Sequence, residues 1–363
     1  MNIGIPKERI GGEDRVGLTT AGVGLLTRAG HSCYVESGAG SAAGFDDYDY
    51  ERNGAVILTD TRELYAKSDL ILKVLRPTPE EIGWMHSGQI LMGFLGLMAA
   101  PRTELEALSA QKVTLIAYEM VTPDGADYPV LKTMSEVAGR MAPYIAGTLL
   151  MRNHGGRGVL LNGVPGISAG EVLILGGGTL GVNAARAFLG LGAKVFLLTR
   201  SLERLRCLDA QFNGQLTTMI SHDFNIAFVT RFADVVIGAV RVPGERAPQL
   251  ITRQMLRTMR PGAVILDFSI DHGGCVETSH PTTLDAPTFI EEDVVHYCVP
   301  NVPGAVPRTS THAFNNAAWP FIRALVELGP ATAFARVQEL KHAVVIRNGD
   351  VVDKKLEALL RKS

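Results

Sequence analysis

No stretch of this sequence is both long enough and apolar enough to span a bilayer. The most apolar one, Gln89–Ala100 (QILMGFLGLMAA), falls short of the roughly 20 residues a spanning helix needs, and reads as a buried strand and the turn after it. Net charge is equally scarce, with 35 Lys and Arg against 37 Asp and Glu, a formal −2. That excludes a global basic footprint for nucleic acid. Cysteine is rare and scattered: Cys33, Cys207, Cys275 and Cys298 form no CxxC pair. They read as reduced, mostly packed thiols of a cytoplasmic protein and not as a disulfide framework. Met1 runs straight into the strand-like NIGIP, with no basic n-region and no apolar h-region, so no signal peptide is expected. The histidines lack metal-ligand spacing, and no metal is expected. No internal repeat of solenoid period and no low-complexity tract is present.

What is there is a chain of 363 residues, too long for one ordinary core, in which short apolar runs alternate with helical patterns. That alternation predicts parallel sheets covered by helices. In the first third NIGIP, SCYVE, AVIL, LILKV, QILMGF and VTLIAYE read as strands, and Thr19–Gly30 as a helix with a Thr cap and a closing Gly. A long helix is predicted from about Ser135 to Asn153, followed by a Gly-rich loop that suits a hinge. From Glu171 a second unit carries the strands VLIL, KVFLLT, LTTMIS, ADVVIGAV and AVILDFSI. His296–Phe314 reads as a Pro-rich turn and a Ser/Thr-capped helix, helical from about Thr309. A hairpin with an Asn348-Gly349 turn and a charged helix close the chain. Hydropathy does not decide which unit these last elements join.

One stretch carries a cofactor signal. Gly176, Gly178 and Gly181 form G-x-G-x-x-G directly after an apolar strand and before an Ala-rich helix that opens at Thr179. The first Gly allows the turn, the second lets backbone approach a pyrophosphate, and the third lets helix and strand pack closely. The phosphates then meet the helix N-terminus. The next strand should end in Asp or Glu to accept from the ribose 2′-hydroxyl of NAD. Thr199 stands there, followed by Arg200 and Ser201. Hydroxyls and a guanidinium suit a 2′-phosphate, which a carboxylate would repel, so NADP(H) is favoured over NAD(H). Arg204 or Arg206 could add charge.

Further stretches carry possible chemistry. Arg15 lies in a glycine loop after the first strand, a flexible mount for a guanidinium that clamps a carboxylate. Lys73 ends an apolar strand, where a lysine is rarely buried without a partner. Ser135 is placed at a helix start, and Asp271 in a loop at the carboxyl end of a strand, where open α/β sheets bind ligands. His296 and His312 read as hydrogen-bonded structural histidines, and His272 as the nearest imidazole to Asp271.

Together the blocks GIPKE…RVGLT, LILKV, IAYE, MSEVAGR, GGRGVLLNGVPG, LGGGTLGVNAAR, ADVVIGAV, ILDFSIDHGG and HYCVPNVPGAVPRTST span nearly the whole chain. In that order they resemble the alanine dehydrogenase family, which shares its fold with the soluble domain of nicotinamide transhydrogenase. The resemblance implies two Rossmann-like, doubly wound α/β domains with the active site in the cleft between them. Residues 1–133 plus 308–363 would form the substrate domain, and 134–307 the dinucleotide-binding domain. Arg15 and Lys73 would bind the substrate carboxylate or carbonyl, and Asp271 would sit beside the reacting amine. Ser135 and the loop around Asn301 would touch the cofactor. A homo-oligomer, dimer or hexamer, is implied as well.

Two positions depart from the family pattern. Alanine dehydrogenases of this family carry Asp where Thr199 stands, and their pattern FLHLAA has a histidine where this chain has Gly96. That histidine binds the oxo acid and acts as acid–base group, leaving Lys73 and Asp271 as the catalytic pair here. Removing the ring also widens the pocket wall at Gly96. The expectation is therefore an NADP(H)-dependent oxidoreductase that reductively aminates an oxo acid larger than pyruvate, or reduces its imine. The alternatives are L-alanine dehydrogenase proper, or a nucleotide-binding relative without catalysis.

Overall fold

The computed structural model describes residues 1–242 and 246–361. Its fifteen strands are β1 (Asn2–Ile5), β2 (Ser32–Glu36), β3 (Val56–Leu58), β4 (Leu70–Leu75), β5 (Ile90–Phe94), β6 (Thr114–Ala117), β7 (Glu171–Leu175), β8 (Lys194–Thr199), β9 (Thr217–Ile220), β10 (Val235–Gly238), β11 (Val264–Asp267), β12 (Thr288–Glu291), β13 (Val294–Tyr297), β14 (Val344–Arg347) and β15 (Asp350–Val351). The chain folds as two compact units, one of Met1–Met134 with Pro303–Ser363, the other of Ser135–Val302.

The first unit holds an eight-stranded sheet in the order β15-β14-β6-β5-β4-β1-β2-β3. Its six N-terminal strands are parallel, and the C-terminal hairpin joins antiparallel to β6. The question hydropathy left open is thus answered by strand pairing: the tail returns to the first sheet. Asn348 and Gly349 both take positive φ, 49° and 91°, the conformation an Asn-Gly hairpin turn needs. β4 and β5 are almost wholly buried, as expected of parallel strands covered on both faces.

The second unit repeats the plan: its sheet runs β12-β13-β11-β10-β7-β8-β9, and only β12 is antiparallel. In each unit the first parallel strand, β1 or β7, lies between the second and the fourth. This is the doubly wound order 3-2-1-4-5-6, with a topological switch point beside β1 and another beside β7.

Two expectations change, and one element is added. The long helix runs Pro129–Leu149, so it starts earlier than expected and Ser135 lies inside it instead of at its start. Proline suits the first helical position, where its missing N–H costs nothing. The helix after the Pro-rich turn begins at Pro307, with Val306 at its cap position and no side-chain cap. The β12–β13 hairpin is an element for which the sequence reading named no strand. Its tip is Glu292-Asp293, both at positive φ, a turn that carries no glycine to announce it. Among the described residues, no helix is long and apolar enough to cross a membrane.

Candidate active site

At the switch point of the first unit the chain leaves β1, loops past Glu8, Glu13 and Arg15, and returns over the end of β4. The approach is close. A Cβ on Gly17 would stand 2.0 Å from the Leu72 carbonyl oxygen. The helix Pro307–Leu328 fixes this loop from the other side, because Thr311 Oγ1 accepts from Val16 N at 3.3 Å and Asn315 Oδ1 from Thr19 N at 2.9 Å.

Lys73 lies in β4 with no solvent exposure. Its ammonium is held by Glu81 Oε1 at 2.8 Å and Glu8 Oε2 at 3.2 Å. Glu8 also accepts from Val74 N at 2.7 Å, and Glu81 accepts from Tyr65 Oη at 3.1 Å and from Thr78 N at 2.8 Å. Burial pulls the Lys73 ammonium toward its neutral form, but the charges of Glu8 and Glu81 outweigh that and hold its pKa above the usual lysine value. Burial pushes the Glu8 carboxyl upward, against the pull of Lys73 and the Val74 amide. The site therefore keeps a fixed cation inside a sheet, with two carboxylates around it.

Arg15 is buried too, at 2% exposure, so its loop is no flexible mount. Its guanidinium grips Glu13 with two nitrogens, Nε donating to Oε1 at 2.7 Å and Nη2 to Oε2. Nη1 reaches Met134 Sδ at 3.1 Å. The two ion pairs are neighbours, since the charge of Glu13 acts on Glu8.

Gly96 lies just past the carboxyl end of β5, the strand beside β4. It is exposed, with φ +54°, and a Cβ built on it meets nothing within 4 Å. Its backbone is nevertheless fixed, because Glu119, just after β6, accepts from Gly96 N at 2.7 Å and from Leu95 N at 3.1 Å. Phe94 packs edge-on against both Tyr118 and Phe314, which are tilted to each other.

The first unit also ends its second strand on an acid. Glu36 ends its β2, the position of a ribose-binding acid, but Arg9 and Thr61 occupy the carboxylate at 2.7 Å each.

In the second unit the glycine turn follows β7. Gly176 takes φ +115°, and a Cβ there would stand 2.3 Å from the Ala239 carbonyl oxygen. A Cβ on Gly181 would stand 2.0 Å from the Gly176 carbonyl oxygen, which is the close helix–strand packing its position demands. A Cβ on Gly178 would meet nothing within 4 Å. The helix Thr179–Gly190 starts there with Gly178 at its cap position and no side-chain cap, so no cap side chain occupies its first N–H groups. These residues fit a dinucleotide: two glycines are required by the fold, and the middle one has no protein neighbour that requires it. Thr199 ends β8, with Arg200 and Ser201 exposed beyond it. Ser201 caps the next helix by accepting from Arg204 N at 3.1 Å, and keeps its own proton to donate.

Asp271 stands in a one-turn 3-10 segment after β11. It is open to solvent yet crowded enough that burial raises its carboxyl, partly offset by a hydrogen bond from the Asn301 backbone N–H. Asn301 makes that bond from a left-handed conformation, φ +53°. Asp267 shapes the loop from beneath, accepting from Ser269 N at 3.0 Å and Cys275 N at 2.9 Å.

Arg15, Lys73 and Gly96 thus belong to the first unit, and the glycine turn, Thr199, Arg200, Ser201, Asp271 and Asn301 to the second, with Ser135 at the second unit's first residue. Sequence reasoning missed Glu8, Glu13, Glu81 and Glu119. A lysine in an apolar strand signals that some carboxylate is near; it does not say which.

The chain matches the alanine dehydrogenase/PNT N-terminal domain over residues 4–138 and the C-terminal domain over 142–354. It is 46% identical over 330 residues to an alanine dehydrogenase of Mycobacterium tuberculosis strain CDC 1551, covering 91% of this chain and 88% of that one. Its identity to the alanine dehydrogenase of Bacillus subtilis strain 168 is 45% over 352 residues, or 97% and 92% of the two chains. A solved L-alanine dehydrogenase structure superposes with a TM-score of 0.95 at 40% identity, covering 99% of both chains.

Proposed function

The chain belongs to the alanine dehydrogenase/PNT family, and from that premise we propose that it interconverts L-alanine and pyruvate with a nicotinamide nucleotide. It is an amino-acid dehydrogenase acting on a CH–NH2 donor. The observation that carries the alanine reading is identity of 45–46% to alanine dehydrogenases over more than nine-tenths of the chain. This replaces an expected larger oxo acid or imine as the main reading.

The nucleotide, when bound at the Gly176–Gly181 turn, accepts or supplies the hydride. The chain's own residues orient and polarise. Lys73, held charged by Glu8 and Glu81, is a fixed ammonium for the substrate carboxylate or carbonyl and not a base. Arg15, its guanidinium oriented by Glu13, adds a second fixed positive charge to this unit for the substrate carboxylate. Asp271 carries the proton work: its raised carboxyl holds the substrate ammonium and takes its proton nearer neutrality than a solvated carboxylate would.

One feature favours a second reading. Gly96 stands where the family pattern has a histidine, and the open space around its Cβ position suits a larger side chain or amine. Initial rates over a panel of amino acids and oxo acids separate the two. Alanine and pyruvate should be fastest; activity confined to larger substrates would sink the alanine reading.

For the cofactor, Thr199, Arg200 and Ser201 support NADP(H) over NAD(H). Paired titration of NADPH and NADH tests this, with Arg200→Asp as control. Tighter NADPH binding that the substitution reverses is expected, and wild-type preference for NADH would refute it.

A further inference from the structure

We propose that Arg204 is a second specificity-determining residue, a pre-positioned guanidinium that grips the ribose 2′-phosphate of NADP(H) beside Arg200. The inference rests on the NADP(H) reading above and deepens it.

Arg204 stands three residues after the Ser201 cap, where a capping box takes Glu or Gln to return a hydrogen bond. A cation there gains nothing from its own helix, since the first turn favours negative charge. The local sequence, Thr199-Arg200-Ser201-Leu202-Glu203-Arg204-Leu205-Arg206, adds two more arginines against one acid. Among the described residues, none of Arg200, Arg204 and Arg206 forms an ion pair.

The three arginines differ in placement. Arg200 and Arg206 are exposed, whereas Arg204 is half-buried. Its Nε donates to the Gly177 carbonyl oxygen at 2.8 Å, so the side chain lies across the gap from its helix to the glycine turn. Gly177 makes room: a Cβ there would stand 3.4 Å from Arg204 Cγ and 3.4 Å from Thr199 Cγ2. Three features therefore meet at one point, the middle of the dinucleotide turn, the end of β8 and this guanidinium. The bond uses Nε alone and leaves the two Nη groups, the donor edge that pairs best with a phosphate. A tethered guanidinium also loses less rotamer freedom on binding than the solvated Arg200 does. Arg206, two residues on, shares none of these contacts.

The alternative is that Arg204 only staples the turn. A staple serves both nucleotides alike; a phosphate clamp serves one. The test is equilibrium binding of NADPH and NADH to the full chain, followed by intrinsic fluorescence or calorimetry, for wild type, Arg204→Gln, Arg204→Lys and Arg206→Gln, with melting temperatures as a fold check. The clamp predicts that Arg204→Gln weakens NADPH by about tenfold or more while NADH changes by less than about twofold, that Arg204→Lys recovers part of the loss, and that Arg206→Gln alters neither. Equal weakening of both nucleotides by Arg204→Gln, or no weakening of either, overturns the assignment while wild-type preference for NADPH keeps the cofactor reading intact. Wild-type preference for NADH overturns both.

Discussion

Lys73 is a fully buried cation held between two carboxylates. A lysine without solvent exposure survives in a sheet only because Glu8 and Glu81 neutralise it, so its removal should cost more than its own contacts. Lys73→Met would leave two carboxylates buried without a cation and should destabilise the first unit by about 3–5 kcal/mol, read as a shifted urea midpoint. Adding Glu81→Gln should restore part of that loss; if the double variant is no more stable than the single, the ion pairs are not what the lysine supports. Gly96 gives the opposite case. Its φ of +54° lies in the left-handed region that histidine tolerates better than branched residues do, and nothing crowds its Cβ position. Gly96→His should therefore keep the fold, within about 1 kcal/mol of wild type. Its turnover of alanine or pyruvate should rise. A well-folded variant with unchanged turnover would show that proton transfer does not wait on this position.

At the scale of an element, the glycine turn separates structural from binding demands. Gly181→Ala forces a Cβ to 2.0 Å from a backbone oxygen and should lower the melting temperature as well as nucleotide affinity. Gly178→Ala meets no protein atom and should leave the melting temperature nearly unchanged; on the proposed nucleotide reading it should weaken both nucleotides, because the methyl would stand where that reading puts the pyrophosphate. Comparable thermal loss in both variants would refute this division. The turn was legible in the sequence because its requirements are local: spacing, strand before, helix after. Elements fixed by distant pairing were less so. The β12–β13 hairpin turns on Glu292-Asp293 without glycine, and the start of the helix Pro129–Leu149 hides Ser135 in its interior. Arg15 and Lys73 could be named as candidates, but their anchors could not. Glu81 is brought to Lys73 by a capping box on a neighbouring helix, and Glu119 reaches Gly96 only because β5 and β6 are adjacent in the sheet.

For the whole molecule, acid stability gathers contributions that no single element reveals. His296 lies fully buried in β13, with Nδ1 against the Val294 carbonyl oxygen at 2.9 Å and Nε2 against Thr278 Oγ1 at 2.9 Å, stacked on Phe289. Burial lowers its pKa below the usual 6.5, more than its bond to Val294 and the charges of Glu291 and Asp267 raise it. His272 and His31 are lowered as well, each chiefly by burial. A group with a lowered folded-state value leaves the unfolded chain holding more protons, so stability rises with pH across that interval. The stabilising contribution is complete above about pH 6.5 and is lost as pH falls from there toward the folded-state value. Glu8 and Asp271 act in the opposite sense, since their raised carboxyls lose stability as pH climbs above their ordinary values of 4.5 and 3.8. The two groups oppose each other in the same acid window, and a single melting curve would blur them. The difference between wild type and His296→Gln isolates one. Between pH 7.5 and 5.5 wild type should lose more stability in urea titrations than the variant does, although the variant starts lower from its disturbed hydrogen bonds. Parallel slopes for the two proteins over that interval would mean that His296 keeps an ordinary titration despite its burial.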